Sequence, residues 1–205
     1  MVRNITLAAA ALIGLSGLAA APAAHAAVFD FLAEANKLEK GYQPYSLTRD
    51  GITVTARGYN GAMQVFAYMD AGDAGLGVCK VLTASKQCNP SSDDNVTSGE
   101  RLNLTFSTAV TISTLSFRDE NHGLRFDSTD RIDLKVDGVQ LSDIQLPVSG
   151  GVYARTLTGT SFDFIFDNEQ FYISSVTAQA VPEPATAMLL GAGMLGLAAA
   201  RRRRT

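Results

Sequence analysis

Ile52-Thr53-Val54-Thr55-Ala56-Arg57-Gly58-Tyr59-Asn60-Gly61-Ala62-Met63-Gln64-Val65-Phe66-Ala67-Tyr68-Met69 is the stretch that decides the fold class. Ile52, Val54 and Ala56 alternate with Thr53, Thr55 and Arg57, and Met63, Val65, Ala67 and Met69 resume the alternation beyond Asn60-Gly61. A period of two puts successive side chains on opposite faces of a strand. Asn-Gly between two such runs is a strong hairpin signal. The pattern returns at Ile132, Leu134 and Val136, where Asp137-Gly138 leads into Val139 and Leu141.

Working outward, Leu102, Leu104 and Phe106 alternate with polar neighbours, and a further run begins at Val110 and Ile112. That run continues at Leu115 and Phe117, a change of parity that predicts a bulge near Ser113-Thr114. Val139 and Leu141 followed by Ile144 and Leu146 predict a second slip near Ser142-Asp143. Phe162, Phe164 and Phe166 read as a core row, and residues 170–179 close the domain. Roughly nine short strands punctuated by Gly, Asn and Asp predict an all-β fold of two packed antiparallel sheets. A jelly-roll-like sandwich is expected, with an immunoglobulin-like topology as the alternative. Residues 28–40 are expected to form a short amphipathic helix through Phe31, Leu32, Ala35 and Leu38.

The 205 residues carry a net charge of −3, but the charge is segregated. Residues 4–28 and 184–200 hold no charged side chain, whereas residues 27–180 hold 12 Lys/Arg against 19 Asp/Glu, a net −7. An acidic body argues against nucleic acid as a partner, since phosphate neutralisation needs a basic face. Arg3, the apolar run 5–21 and the small residues Ala24 and Ala26 around His25 read as a signal peptide over residues 1–26. Signal peptidase is expected to cleave after Ala26, leaving a body over residues 27–180 and a distinct tail over residues 181–205.

In that tail, Val181-Pro182-Glu183-Pro184 precedes sixteen uncharged residues and then Arg201, Arg202, Arg203 and Arg204. Sixteen helical residues span roughly 24 Å, slightly less than a hydrocarbon core, and terminal arginines can snorkel. The reading is a C-terminal transmembrane helix with its arginines in the cytoplasm and the body outside. This order of features resembles the PEP-CTERM sorting signal of Gram-negative bacteria. The resemblance implies an exosortase as processing enzyme, with Pro182, Glu183 and Pro184 as the recognised element. It implies passage through the inner membrane, a membrane-anchored precursor, and a destination at the cell surface or in the extracellular matrix. Such proteins accompany exopolysaccharide and biofilm production, so exopolysaccharide is an expected partner.

The body offers few chemical constellations. Cys79 and Cys88 are its only cysteines, and in an oxidising compartment they are expected to form a disulfide closing a Gly-, Ser- and Asp-rich loop. Asp70, Asp73, Asp94 and Glu100 supply hard oxygen donors near that loop and form a candidate calcium set, although their spacing fits no calcium-loop motif. No other cofactor is expected. His122 follows Asp119, Glu120 and Asn121, where it is either a turn residue or a general base beside carboxylates. No Gly-x-Ser-x-Gly, His-Glu-x-x-His or phosphate-binding loop occurs, and the body is expected not to be an enzyme. With no Trp, Tyr59 and Tyr68 are the candidate glycan-stacking residues. The expected role is therefore a non-enzymatic surface or matrix protein, with a glycan-binding module as alternative and a secreted hydrolase third.

Overall fold

The computed structural model describes residues 25–182 together with Gly191 and Gly193. Ala24, Glu183, Pro184 and Arg201 to Arg204 lie outside the described residues. So does most of the expected transmembrane helix, of which Gly191 and Gly193 are helical. Among the described residues no helix is long and apolar enough to cross a membrane.

The strands are β1 (Ala26–Asp30), β2 (Lys40–Tyr42), β3 (Tyr45–Arg49), β4 (Ile52–Asn60), β5 (Met63–Asp70) and β6 (Gly75–Cys79), followed by β7 (Glu100–Arg118) and β8 (Arg131–Val136). The remaining strands are β9 (Val139–Gln145), β10 (Val152–Tyr153), β11 (Leu157–Phe166) and β12 (Tyr172–Ala180), and one helix, α1, covers Phe31–Ala35. The fold is all-β, and its strand pairs are antiparallel. Along the main path the order is β1-β12-β6-β5-β4-β7-β11-β8-β9, with β2 on β5, β3 on β4 and β10 on β7.

The 19-residue β7 is the hub. The two runs read from its sequence are one strand. Its first half, Glu100 to Phe106, pairs with β4, and its second half, Val110 to Arg118, pairs with β12. Between them Ser107, Thr108 and Ala109 are exposed, and the β11 register jumps from Thr105 opposite Ser161 to Val110 opposite Gly159. Strand β7 therefore leaves one set of neighbours for another at that point. Because β12 pairs with both β6 and β7, the pairings close a ring through β7, β4, β5, β6 and β12.

The alternating apolar residues bury themselves in one core. Val54, Leu104, Ile112, Phe117, Phe162, Phe164 and Val176 are fully buried in it. Phe106 meets Phe29 and Phe162 edge-on, each at 5.7 Å between centroids, an arrangement that adds to burial worth about 1.5–3 kcal/mol per large side chain. Both parity slips are real. Thr177 faces Thr114 and Ala178 faces Ile112, so Ser113 is the extra residue. Leu134 faces Leu141 and Ile132 faces Ile144, which places the second irregularity at Ser142-Asp143. Asp137 and Gly138 both take positive φ in their hairpin turn, as that turn demands.

The helix expected over residues 28–40 is corrected to a strand and a single turn. Ala26–Asp30 pairs with β12 from Ala26 opposite Gln179 to Asp30 opposite Ser175. Asp30 then caps α1 by accepting from the Ala33 N–H at 2.9 Å. Phe31 and Ala35 are buried, but Leu38 is exposed beyond the helix end. Local spacing favoured a longer helix; the open edge of β12 offered the backbone better hydrogen bonding over 26–30. The β1–β12 pairing also sends the entering and departing chain out of the body side by side.

Candidate functional site

At the opposite end of β12, where Tyr172 begins the strand, three loops converge. The end of β5 supplies Asp70, the disulfide-bearing segment supplies Asp94, and the turn after β7 supplies His122. Tyr172 OH donates to Asp94 Oδ1 at 2.5 Å. His122 Nε2 lies 3.1 Å from Asp70 Oδ2, its Nδ1 lies 2.6 Å from the Gly72 carbonyl oxygen, and its ring packs edge-on to Tyr172 at 5.4 Å. Asp119 builds the turn that presents this ring, accepting from the N–H groups of Asn121 and Gly123 through Oδ1 and from His122 N–H through its carbonyl. Gly77 is what lets the Asp94 backbone lie on β6, since a Cβ there would collide with the Asp94 carbonyl.

Burial governs the electrostatics of this pole. Asp70, 7% exposed, is pushed up to about 6 by desolvation and by the charge of Asp94, against the pull of His122. Burial also raises Asp94, although its hydrogen bond from Tyr172 works the other way. The Tyr172 hydroxyl is held far above its ordinary range by burial and by donation to Asp94.

Next to this cluster, the Cys79–Cys88 disulfide joins the end of β6 to the following loop with Cα atoms 5.8 Å apart. Lys80 Nζ reaches Asp93 Oδ1 at 2.7 Å and Glu100 Oε1 at 3.2 Å. Glu100 has no exposed surface and also accepts from the Thr97 N–H at 2.9 Å. Desolvation pushes it up to about 7, outweighing the pull of Thr97 N–H and Lys80.

The four candidate calcium donors do not converge. Asp70 and Asp94 share the pole, Asp73 sits in an exposed turn at φ +71, and Glu100 belongs to the Lys80 cluster. Among the described residues the one group of three ligand-type side chains within reach of a common ion is Cys79, Cys88 and Asp93, whose two sulfurs are bonded to each other. Tyr68 is corrected as a stacking candidate. It is buried at 2% exposure, with its hydroxyl within 3.0 Å of Glu39 Oε1 and 3.1 Å of Gln87 Oε1.

Tyr59 is different. It stands half-buried opposite Arg101 in the β4–β7 register, and the guanidinium lies 4.1 Å from its ring centroid. Arg101 Nη1 donates to Asp163 Oδ1 at 2.8 Å, and Asn103 Nδ2 donates to the same oxygen at 2.9 Å. The registers align Arg57, Asn103, Asp163, Lys135 and Gln140 in one row across five strands. Sequence alternation marked Asn103 as outward-facing, but nothing local tied Arg101 and Asp163 to Tyr59, because their strands meet only in the sheet.

Both ring nitrogens of His122 are engaged within the pole, Nδ1 with the Gly72 carbonyl and Nε2 with the Asp70 carboxylate. Of the remaining expected residues, Ala26 opens β1 with its side chain exposed, and Pro182 follows β12 at the surface. No curated protein matches the chain. Residues 180–204, beginning with the last residue of β12, match the PEP-CTERM protein-sorting motif, so the chain carries that motif.

Proposed function

We propose that this chain is an exported precursor, processed by an exosortase, whose body acts without catalysis at the cell surface or in the extracellular matrix alongside exopolysaccharide. The sorting motif at residues 180–204 carries this reading. The motif starts where β12 ends, so the body joins its sorting segment without an intervening linker. Signal peptidase cleavage after Ala26 leaves Ala27 and Phe29, the buried residues of β1, in the mature protein beside β12. The body is read as a jelly-roll-like sandwich, a reading supported by the change of β7 neighbours at residues 107–109, and the lack of Gly-x-Ser-x-Gly and His-Glu-x-x-His motifs supports a role other than hydrolysis. Mass spectrometry of the protein from its host tests the route. Ala27 should be the first residue and Arg201 to Arg204 should be missing, with the C-terminus restored when the exosortase is deleted. An intact C-terminus in the parent strain sinks the proposal.

A second reading, glycan binding, is favoured by the Tyr59–Arg101 pair on a polar sheet face. An aromatic face beside fixed hydrogen-bonding groups suits a sugar ring. Retention on the host's own polysaccharide should fall at least several-fold in Tyr59→Ala. Unchanged retention removes this face from consideration, and a chelator arm tests whether calcium assists.

A further inference from the structure

The contacts of His122 impose a constraint on protons. A carbonyl oxygen only accepts, so the 2.6 Å contact with Gly72 requires a proton on Nδ1. In a neutral ring this leaves Nε2 as a bare lone pair, yet Nε2 lies 3.1 Å from Asp70 Oδ2. An ionised carboxylate also presents only lone pairs. Two acceptors at that distance repel unless something positive lies between them. The Asp70 side chain is nine-tenths buried, and its Oδ2 has no other hydrogen-bond partner. A bridging metal ion would need further ligands. Among the described residues no third His, Cys, Asp or Glu completes such a group with this pair.

We propose that His122 and Asp70 share one bound proton, and that this proton clips the turn after β7 onto the turn between β5 and β6, making the end of the body farthest from the sorting tail a pH-responsive latch. The proton is covalent to one atom and hydrogen-bonded to the other, as imidazolium with carboxylate or as imidazole with carboxylic acid. Its loss leaves the lone pair of Nε2 against an anionic Asp70. Asp94 and Glu39 add negative charge around Asp70, and among the described residues besides His122 only the neutral Tyr172 hydroxyl pulls toward the anion. The Tyr172 and Tyr68 hydroxyls stay protonated and cannot supply the missing charge. Arg118 is committed to the His122 carbonyl through Nη1 at 3.1 Å, and Asp119 to the N–H groups of its own turn. The turn on the other side is anchored separately, by Gly72 N–H donating to Asn36 Oδ1 at 3.1 Å, so release frees the His122 turn first.

The test uses the full chain in detergent micelles, where His25 and His122 are the only histidines and a His25→Ala variant assigns the signals. Imidazole nitrogen NMR should find Nδ1 protonated whenever the turn is closed. A closed turn with a bare Nδ1 and a protonated Nε2 overturns the proposal. The opened fraction, read from loss of the nuclear Overhauser contacts of the His122 ring with Gly72 and Tyr172, should grow by up to about tenfold per pH unit once the proton is lost. Asp70→Asn replaces the shared proton with an amide N–H that donates to Nε2 at any pH, so its opening should be independent of pH. Equal pH slopes in parent and variant overturn the proposal, as does protection of the turn by added zinc ions at pH 8. The nitrogen spectrum is read on the parent residues and stands even if Asp70→Asn folds poorly.

Discussion

The two polar regions of the body use the same side-chain types under opposite conditions. On the sheet face, Asp163 receives Arg101 and Asn103 through one oxygen, and the guanidinium also covers Tyr59. At the pole, Asp70 and Asp94 lie close together with one histidine, and in the neighbouring cluster Glu100 is sealed with Lys80 as its cation. Asp163 and Asp70 are similarly buried, at 8% and 7% exposure, so burial alone does not separate them. A strand holds its polar groups at fixed spacing, where neighbouring strands complement Asp163 with a guanidinium and an amide. Converging loops instead bring carboxylate near carboxylate, so desolvation and mutual repulsion outweigh the opposing pulls and favour the protonated form of Asp70. The face is a charge-complementary surface and the pole is a proton-sensitive one.

The most damaging change should be common to both regions. Phe162 lies in the core beneath the strand that carries Asp163, and Phe162→Ala should cost about 3–5 kcal/mol in denaturant unfolding. A loss below about 1 kcal/mol would mean that the core does not unify the two regions. Reduction of Cys79–Cys88 should separate them. The chain-entropy model gives about 2–3 kcal/mol for this loop, and exchange should rise around Asp93 and Asp94 before it rises in β11. Uniform loosening on reduction would break the distinction between pole and face.

Acidity should sharpen the same contrast. Asp70 at about 6 and Glu100 at about 7 lie above their ordinary values of 3.8 and 4.5. Folding therefore favours their protonated forms. The stability they contribute is full below the ordinary values and is lost as pH rises through about 6 to 7. The melting temperature should be higher at pH 5 than at pH 8. Glu100→Gln should flatten that slope and raise stability at pH 8 by about 1 kcal/mol or more. A melting temperature that falls steadily on acidification would contradict the sign. The smallest effect belongs to the face. Arg101→Ala removes a partly exposed ion pair and should cost about 0.5–1 kcal/mol, with little change in the pH slope.

How legible these features were depended on how locally they are encoded. The hairpins signalled by Asn60-Gly61, whose turn is Gly61-Ala62 with Asn60 ending β4, and by Asp137-Gly138 were readable because turn chemistry and alternation sit within a dozen residues. The bulges at Ser113 and Ser142-Asp143 were readable because an inserted residue reverses parity in the chain itself. Strand β1 was misread because Phe31 and Ala35 have helical spacing, while the competing partner, β12, lies at the far end of the sequence. The candidate calcium donors were dispersed for the same reason. Proximity along the chain placed Glu100 with Asp70 and Asp94, but the folding of the loops assigned it to Lys80 instead. His122 was noticed, yet its partners Asp70 and Gly72 lie in another hairpin, Gly72 being 50 residues away.

By itself the sequence determined an all-β body with its hairpins and bulges, a disulfide-prone loop, and a tail bearing the sorting motif. Each of these is written in short-range spacing, composition or a contiguous signal. Tertiary structure alone decided that β7 serves two sets of neighbours, that the two ends of the body leave together, and that Tyr68 is buried while Tyr59 meets Arg101. It alone brought His122 onto Asp70. The physical reason is that pairing between distant strands and the desolvation of a charge depend on what the whole chain brings near, and no local window of residues contains that information.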